Sequence, residues 1–256
     1  EAALATDAPC IWPEGKLCLD VHNHAAPVVA DHGALAAGFA AADQVFEQRY
    51  DTGFVHNAQL EPRCALAHWQ GETLTLYTPS QGIANCRHDM ARDLGLEDHQ
   101  VRVVCHYMGG GFGNKNQNQD ADLIAATLAR HTRAPVMLEY SRRDDWLGMH
   151  GRWPTVQEYT VGVKNDGTVT AIQLIGYSGM GPYRKNAGGI GGLELYACPN
   201  RSRSLSPVYT NRTTSGNFRA PSEPHGVYGI QSIMDDIAYK LGMDPEEVVV
   251  NPGGYG

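Results

Sequence analysis

Ahead of a helical pattern that begins near Asp120, and after the β-branched run Val101-Arg102-Val103-Val104, the chain passes through Gly109-Gly110-Gly111-Phe112-Gly113-Asn114-Lys115. Three successive residues without a Cβ let the backbone approach a bulky ligand and aim several N–H groups at an anion. The loop nominates a cofactor. A Walker loop needs Gly-Lys followed by Ser or Thr, and Asn114-Lys115-Asn116 supplies neither. The dinucleotide fingerprint G-x-G-x-x-G fits Gly109 and Gly111 but meets Asn114 where its last glycine belongs. These failed spacings weigh against a nucleotide-dependent enzyme.

The bulk properties set the remaining bounds. With 256 residues, 42% of them hydrophobic and 19% charged, the chain can bury a sizeable core. A formal charge of −8 and the lack of a Lys/Arg cluster argue against nucleic acid or an anionic membrane as partner and favour a small organic substrate. No run of about 18 apolar residues exists and no secretory signal opens the sequence. A cytoplasmic location is expected, or a periplasmic one if a leader has been removed. Cys10, Cys18, Cys64, Cys86, Cys105 and Cys198 form no C-x-x-C pair, which points to reduced thiols and leaves nothing to ligate an iron–sulfur cluster.

Periodicity organises the chain into an entry segment over 1–32, one α+β domain over 33–245 and a tail over 246–256. The entry segment ends in Val21-His22-Asn23-His24, a strand candidate with both histidines on one face. Beyond it, a short helix is expected over Gly33 to Ala42, a strand over Val45 to Tyr50, and a hairpin from Cys64 to Trp69 and Thr73 to Thr78. A helix from Asn85 to Leu94 is ended by Gly95. Leu123, Ile124, Thr127, Leu128 and His131 share one side of a second helix, capped by Asn118 or Asp120. Pro135 to Tyr140 reads as a strand, and Tyr159 to Val163 with Val169 to Ile175 as a hairpin. The glycine-dense Gly176 to Gly192 reads as a loop lining a site or interface. A last helix runs through Val227, Ile230, Ile233, Met234, Ile237 and Leu241, stopped by Gly242 and Pro245. A mixed sheet with hairpins and packed helices follows.

The GGGFG loop resembles the signature of the molybdenum hydroxylases, the xanthine dehydrogenase and aldehyde oxidase family, in their molybdopterin-binding large subunit. The resemblance extends to Val55-His56-Asn57-Ala58-Gln59-Leu60-Glu61-Pro62-Arg63, Thr78-Pro79-Ser80-Gln81-Gly82, Phe218-Arg219-Ala220-Pro221 and Met234-Asp235-Asp236-Ile237-Ala238, in the family's order. It covers most of the chain and implies the first molybdenum-binding half.

What the resemblance implies for the site is specific. Backbone at Gly110, Gly111, Phe112 and Gly113 would approach the metal and its pterin, with the Phe112 ring closing the pocket against water. Gln81 would hydrogen-bond an oxygen ligand on molybdenum, and Arg219, followed by Ala220, would offer a planar donor fork that keeps its charge. Molybdenum is held through the pterin and not by protein side chains. Ala220 stands where copper-bearing carbon monoxide dehydrogenases place a cysteine, so a thiolate-bound copper is not expected. Pro221 replaces a ring-stacking phenylalanine of purine oxidisers, which favours an aldehyde or another aromatic heterocycle over xanthine. His56 and Glu61 read as framework residues.

The same resemblance implies hydroxylation with oxygen from water, on a molybdopterin that takes a cytosine dinucleotide form in part of the family. Electrons would pass to 2Fe-2S clusters and FAD on iron–sulfur and FAD subunits. The family's general-base glutamate lies in a second molybdenum-binding half, and no glutamate here matches its motif. A fragment, unseen segments or a naturally split subunit would each explain this, and in each case the chain alone should not turn over substrate. The competing class is a scaffold or assembly protein that retains the half-domain without catalysis.

Overall fold

The computed structural model describes residues 2–5, 7–12, 27–183 and 189–250. The histidine-bearing segment Val21 to His24, Cys18 and the last tail residues, 251–256, lie outside these. Where the sequence reads as one domain over 33–245, the chain clusters into two compact units. One comprises Glu1–Val55, Trp153–Ser215 and Ala220–Gly256, and the other His56–Arg152 with Gly216–Arg219.

The first unit is a five-stranded mixed sheet in the order Val28–His32, Arg201–Tyr209, Val169–Gly181, Thr155–Val163, Gln44–Thr52. Its centre is the predicted hairpin, with Leu174 opposite Tyr159, and Gln48 opposite Tyr159 on the other side. Alternation turns Tyr159, Val161 and Val163 inward together with Ile172 and Leu174. The helix Glu223–Leu241 presents Ile230, Ile233, Met234 and Ile237 to the same core. Gly242 ends it in the left-handed conformation.

Two expectations for this unit need correction, and two of its strands have no counterpart in the sequence reading. The strand Val169–Gly181 runs six residues past Ile175, so Gly176 to Gly181 is sheet and not loop. A Cβ at Gly176 would stand 2.6 Å from Ile190 Cδ1 and from Leu205 Cδ2, so glycine here makes room for packing. Pro245 does not merely close the long helix; it opens another, Pro245–Val250, inside what reads as tail. The strands Val28–His32 and Arg201–Tyr209 lack an alternating signal, and they pair antiparallel along the sheet edge.

The second unit is a four-stranded sheet in the order Val101–Val104, Thr73–Tyr77, Cys64–Gln70, Val136–Glu139. Its hairpin is the predicted one, with Leu66 opposite Tyr77. The helices Ile83–Leu94 and Asp120–Thr132 share a core with Ala65, Ala67, Leu74, Leu76 and Val101. The second helix turns the unexpected side inward: Ala121, Asp122, Ala125, Ala126 and Ala129 are buried, while Ile124 and Leu128 are 44% and 45% exposed. Alanines facing Ala65 and Ala67 let helix and sheet approach closely, and that close packing overrides the larger residues' greater burial gain. Its cap is Gln119, not Asn118 or Asp120, in a reciprocal arrangement with Asp122. A short helix over Arg142–Gly148, capped by Ser141, has no counterpart in the sequence reading.

Candidate functional site

The glycine loop leaves the sheet after Val104 and reaches the helix at Asp120, and residues from four parts of its unit fix it. At its start, the Gly109 N–H donates to Glu61 Oε2 at 2.9 Å. At its end, the fully buried Lys115 donates through Nζ to that same Oε2 at 2.7 Å and to Glu61 O at 3.0 Å. Both ends are thus tied to one carboxylate, an ammonium–carboxylate contact that burial strengthens.

Gln81 holds the middle. Its N–H donates to Lys115 O at 2.7 Å, and its Oε1 accepts from the N–H of Gly113 at 2.8 Å and of Lys115 at 3.3 Å. Backbone N–H groups only donate, so the atom facing them must be the amide oxygen, and Nε2 is left as a donor. A Cβ at Gly111 would lie 2.4 Å from Gln81 Oε1, a clash that explains why the loop tolerates no side chain there. Phe112 and Gly113 have φ of 50° and 96°, and Phe112 keeps a ring that is 46% exposed. The strained backbone at Phe112 is of the kind that persists where surrounding contacts impose it.

Arg219 joins the loop through its backbone, its N–H donating to Phe112 O at 2.9 Å. The same oxygen accepts from Asn57 Nδ2 at 2.9 Å, and Asn57 also reaches Asn217 O at 3.3 Å. Arg152 Nη2 donates to Phe218 O at 2.7 Å and to Arg219 O at 2.6 Å, and its guanidinium lies 4.9 Å from the Phe218 ring centroid. Burial holds the Arg152 pKa below the ordinary guanidinium value. Gln81, Gly110 to Gly113 and Arg219 are therefore brought together within one unit. Ala220, with φ of 51°, falls to the other unit and its oxygen accepts the Glu223 N–H.

Beneath the loop lies a buried polar network. Arg63 pairs with Asp122, both fully buried, and donates to Pro79 O at 3.1 Å. Asp145, also fully buried, accepts from Gln59 Nε2, the Arg63 N–H and Arg142 Nη1. His56 accepts the Ala58 N–H at Nδ1, so its Nε2 carries the proton given to Asp145 O at 3.1 Å. His56 and Glu61 thus belong to the framework.

Three contributors escaped the sequence reading. Asn57 lies inside a stretch quoted for its resemblance but received no role, and the motif itself was its signal. Arg152 carries no local signal, because the carbonyls it holds lie 66 and 67 residues away, and of the partners of the Asp145 carboxylate only Arg142 is near in sequence, while Gln59 and Arg63 lie far along the chain.

The loop also passes a test of fit for an anionic, ring-bearing group. Among the described residues, the N–H groups of Gly110, Gly111 and Phe112 have no protein partner, and neither do Gln81 Nε2 and the Arg219 guanidinium. A short arc of unpaired donors beside an exposed aromatic ring suits a cofactor of that kind.

Comparison with known proteins gives the same direction. The sequence model described as molybdopterin cofactor-binding domain matches residues 20–250. The chain belongs to that family. It is 32% identical over 216 residues to the aldehyde oxidoreductase molybdenum-binding subunit of Escherichia coli K12, covering 84% of this chain and 30% of that protein. The nicotinate dehydrogenase large molybdopterin subunit of Eubacterium barkeri is 28% identical over 255 residues, covering 97% and 58%. The aldehyde oxidoreductase structure from Desulfovibrio gigas superposes with a TM-score of 0.83 at 26% identity, covering 94% of this chain and 28% of that one. The chain thus spans under a third of the aldehyde oxidoreductases it matches.

Proposed function

We propose that this chain is the molybdenum cofactor-binding part of an oxidoreductase that hydroxylates an aldehyde or an aromatic heterocycle with oxygen from water. The observation that carries the reading is the pairing at Gln81. Its oxygen is fully engaged by the N–H groups of Gly113 and Lys115, which turns its Nε2 donors away from the loop backbone.

Each residue then has a definite task. The N–H groups of Gly110, Gly111 and Phe112 donate to anionic atoms of the bound group without adding side-chain bulk. Gln81 Nε2 orients an oxygen ligand and leaves the charge of the site unchanged. Arg219 supplies a permanent positive charge for oxo, phosphate or carboxylate acceptors. The half-exposed Phe112 ring shields the pocket from water. When bound, the molybdenum cofactor supplies two-electron oxidation of a carbon centre, and the protein contributes positioning and electrostatics.

The remaining assignments belong to this reading. The proton-accepting glutamate is supplied by a second molybdenum-binding half outside these residues. Iron–sulfur and FAD subunits take the electrons, through 2Fe-2S clusters. Pro221 in place of a stacking aromatic favours aldehydes and non-purine heterocycles. Relatives named on both sides of that division, aldehyde oxidoreductase and nicotinate dehydrogenase on one and xanthine dehydrogenase on the other, are similar to this chain. No described helix is long and apolar enough to cross a membrane.

Metal analysis of the purified complex tests the reading. Molybdenum should co-purify with the wild type, and Gln81→Ala should weaken its retention by about 10–100-fold, the usual effect of removing a group that orients a metal's ligand. Full molybdenum content in Gln81→Ala would overturn the role given to Gln81. Fully assembled wild-type complex without molybdenum would favour a scaffold.

A further inference from the structure

We infer that Arg152 is the positioning residue for Arg219, and that it presents the Arg219 guanidinium to an anionic group of the bound cofactor. The inference rests on the cofactor reading above for its ligand, and on independent geometry for its mechanism.

The geometry starts with two carbonyls. In extended chain, successive C=O groups point to opposite sides. Here the oxygens of Phe218 and Arg219 converge on a single nitrogen, Arg152 Nη2, at 2.7 and 2.6 Å. Two carbonyl oxygens facing one point repel each other unless a cation stands between them. Arg152 supplies that cation, and its planar group sits over the Phe218 ring, which fixes the third side of the bend.

The bend has a backbone signature. Arg219 has φ of 22°, Ala220 of 51° and Ser222 of 78°, so three residues with side chains occupy left-handed backbone within four positions. Each costs free energy relative to ordinary conformations and persists only where neighbours impose it. Arg152 is 8% exposed, and its two hydrogen bonds act where the strain begins. The N–H of Arg219, meanwhile, is held by Phe112 O, which ties the bend directly to the glycine loop.

The charges are also arranged in sequence. Arg152 faces the carbonyl side of residues 218 and 219, while the Arg219 side chain has no partner among the described residues. One arginine is consumed by the backbone so that the next stands open for a ligand. Lysine at 152 could still place a charge between the carbonyls, though it lacks the planar face for Phe218. Methionine could fill the space but could not hold either oxygen.

The test uses the assembled complex carrying Arg152→Met, Arg152→Lys, Arg219→Met and the 152/219 double methionine variant. Hydrogen exchange over residues 216–221 should quicken in Arg152→Met and return towards wild type in Arg152→Lys, with exchange over the strand Thr73–Tyr77 unchanged. Molybdenum retention should fall about tenfold or more in Arg152→Met. The double variant should be no worse than Arg219→Met, because Arg152 acts through Arg219. If Arg152→Met does not assemble, Arg152→Gln, which keeps a neutral NH2 donor group without the charge, should show the same quickened exchange to a smaller degree. Unchanged exchange in folded Arg152→Met or Arg152→Gln, or additive losses in the double variant, would overturn the inference. Full molybdenum content in Arg219→Met would instead overturn the cofactor role of Arg219, a failure separable from the exchange result.

Discussion

Among the described residues, every buried aspartate, lysine and arginine lies in the loop-bearing unit: Arg63, Asp89, Lys115, Asp122, Asp145 and Arg152. The buried polar side chains of the other unit are hydroxyls, the Gln157 amide and His225. That unit closes over a broad apolar core of a sheet and a long helix, in which Ile230, Ile233 and Ile237 are fully buried. The loop-bearing unit fills its core with Ala65, Ala67, Ala125, Ala126 and Ala129, residues that give little apolar area each. Buried ion pairs are a poor way to gain stability, because desolvation offsets most of their attraction. Asp89 aside, which pairs with the exposed Arg92 on its own helix, these charges hold the glycine loop and the segments beside it, and they are better understood as a means of fixing geometry.

The sharpest way to break this contrast is to remove one charge from the network. Asp122→Ala leaves Arg63 buried without its carboxylate and removes acceptors from Thr78 Oγ1 and the Gln119 N–H. The expected cost is about 3–5 kcal/mol, the usual penalty for an uncompensated buried charge. Chemical denaturation of the complex reads it. A cost under about 1 kcal/mol would mean that Arg63 finds water or another partner, and the network would not be a rigid base.

The second substitution probes the other side. Ile233→Ala in the long helix should cost about 2–5 kcal/mol through lost transfer energy and a cavity. Because Ile233 touches an apolar core and no member of the loop network, exchange at Gly109 to Lys115 should stay at the wild-type rate. Equal loosening of the loop by Ile233→Ala and Asp122→Ala would erase the distinction between scaffold and site.

The same contrast explains what could be read from the chain before its structure was known. The hairpins and the long helix were legible because apolar alternation and 3.6-residue periodicity record burial against an apolar neighbour. The glycine loop, Gln81 and Arg219 were legible through motif order. The helix Asp120–Thr132 misled, since its alanine face gains by close approach and not by hydrophobic bulk, a quantity that periodicity does not register. Arg201–Tyr209 carries arginine, serine and proline, so only its neighbours in the sheet make it a strand. Arg152 was invisible for a related reason. A charge buried to hold carbonyls 66 and 67 residues away looks, in sequence, like any other arginine.

The last predicted effect concerns pH, is small at any one pH step, and separates the alanine-rich core from its surroundings. Burial pushes the Cys86 thiol from its ordinary value of 9.0 up to about 12, with the nearby Asp122 carboxylate adding to the rise. A pKa raised on folding means that the folded chain holds the proton more tightly than the unfolded one. The associated stability is therefore complete below about pH 9 and is lost as pH rises towards about 12. Across that window the slope contributed by this group is at most about 1.4 kcal/mol per pH unit. Cys86→Ala should flatten the alkaline limb of the stability curve by that amount, even though it lowers stability at neutral pH by leaving a small cavity. Tyr159, whose hydroxyl burial also pushes upward, remains in both proteins and cancels from the comparison. Parallel alkaline limbs for wild type and variant would show that the folded thiol ionises as readily as the unfolded one. The core around Met90 and Ala91 would then admit water, and the loop-bearing unit would lack the dry packing that makes its buried charges rigid.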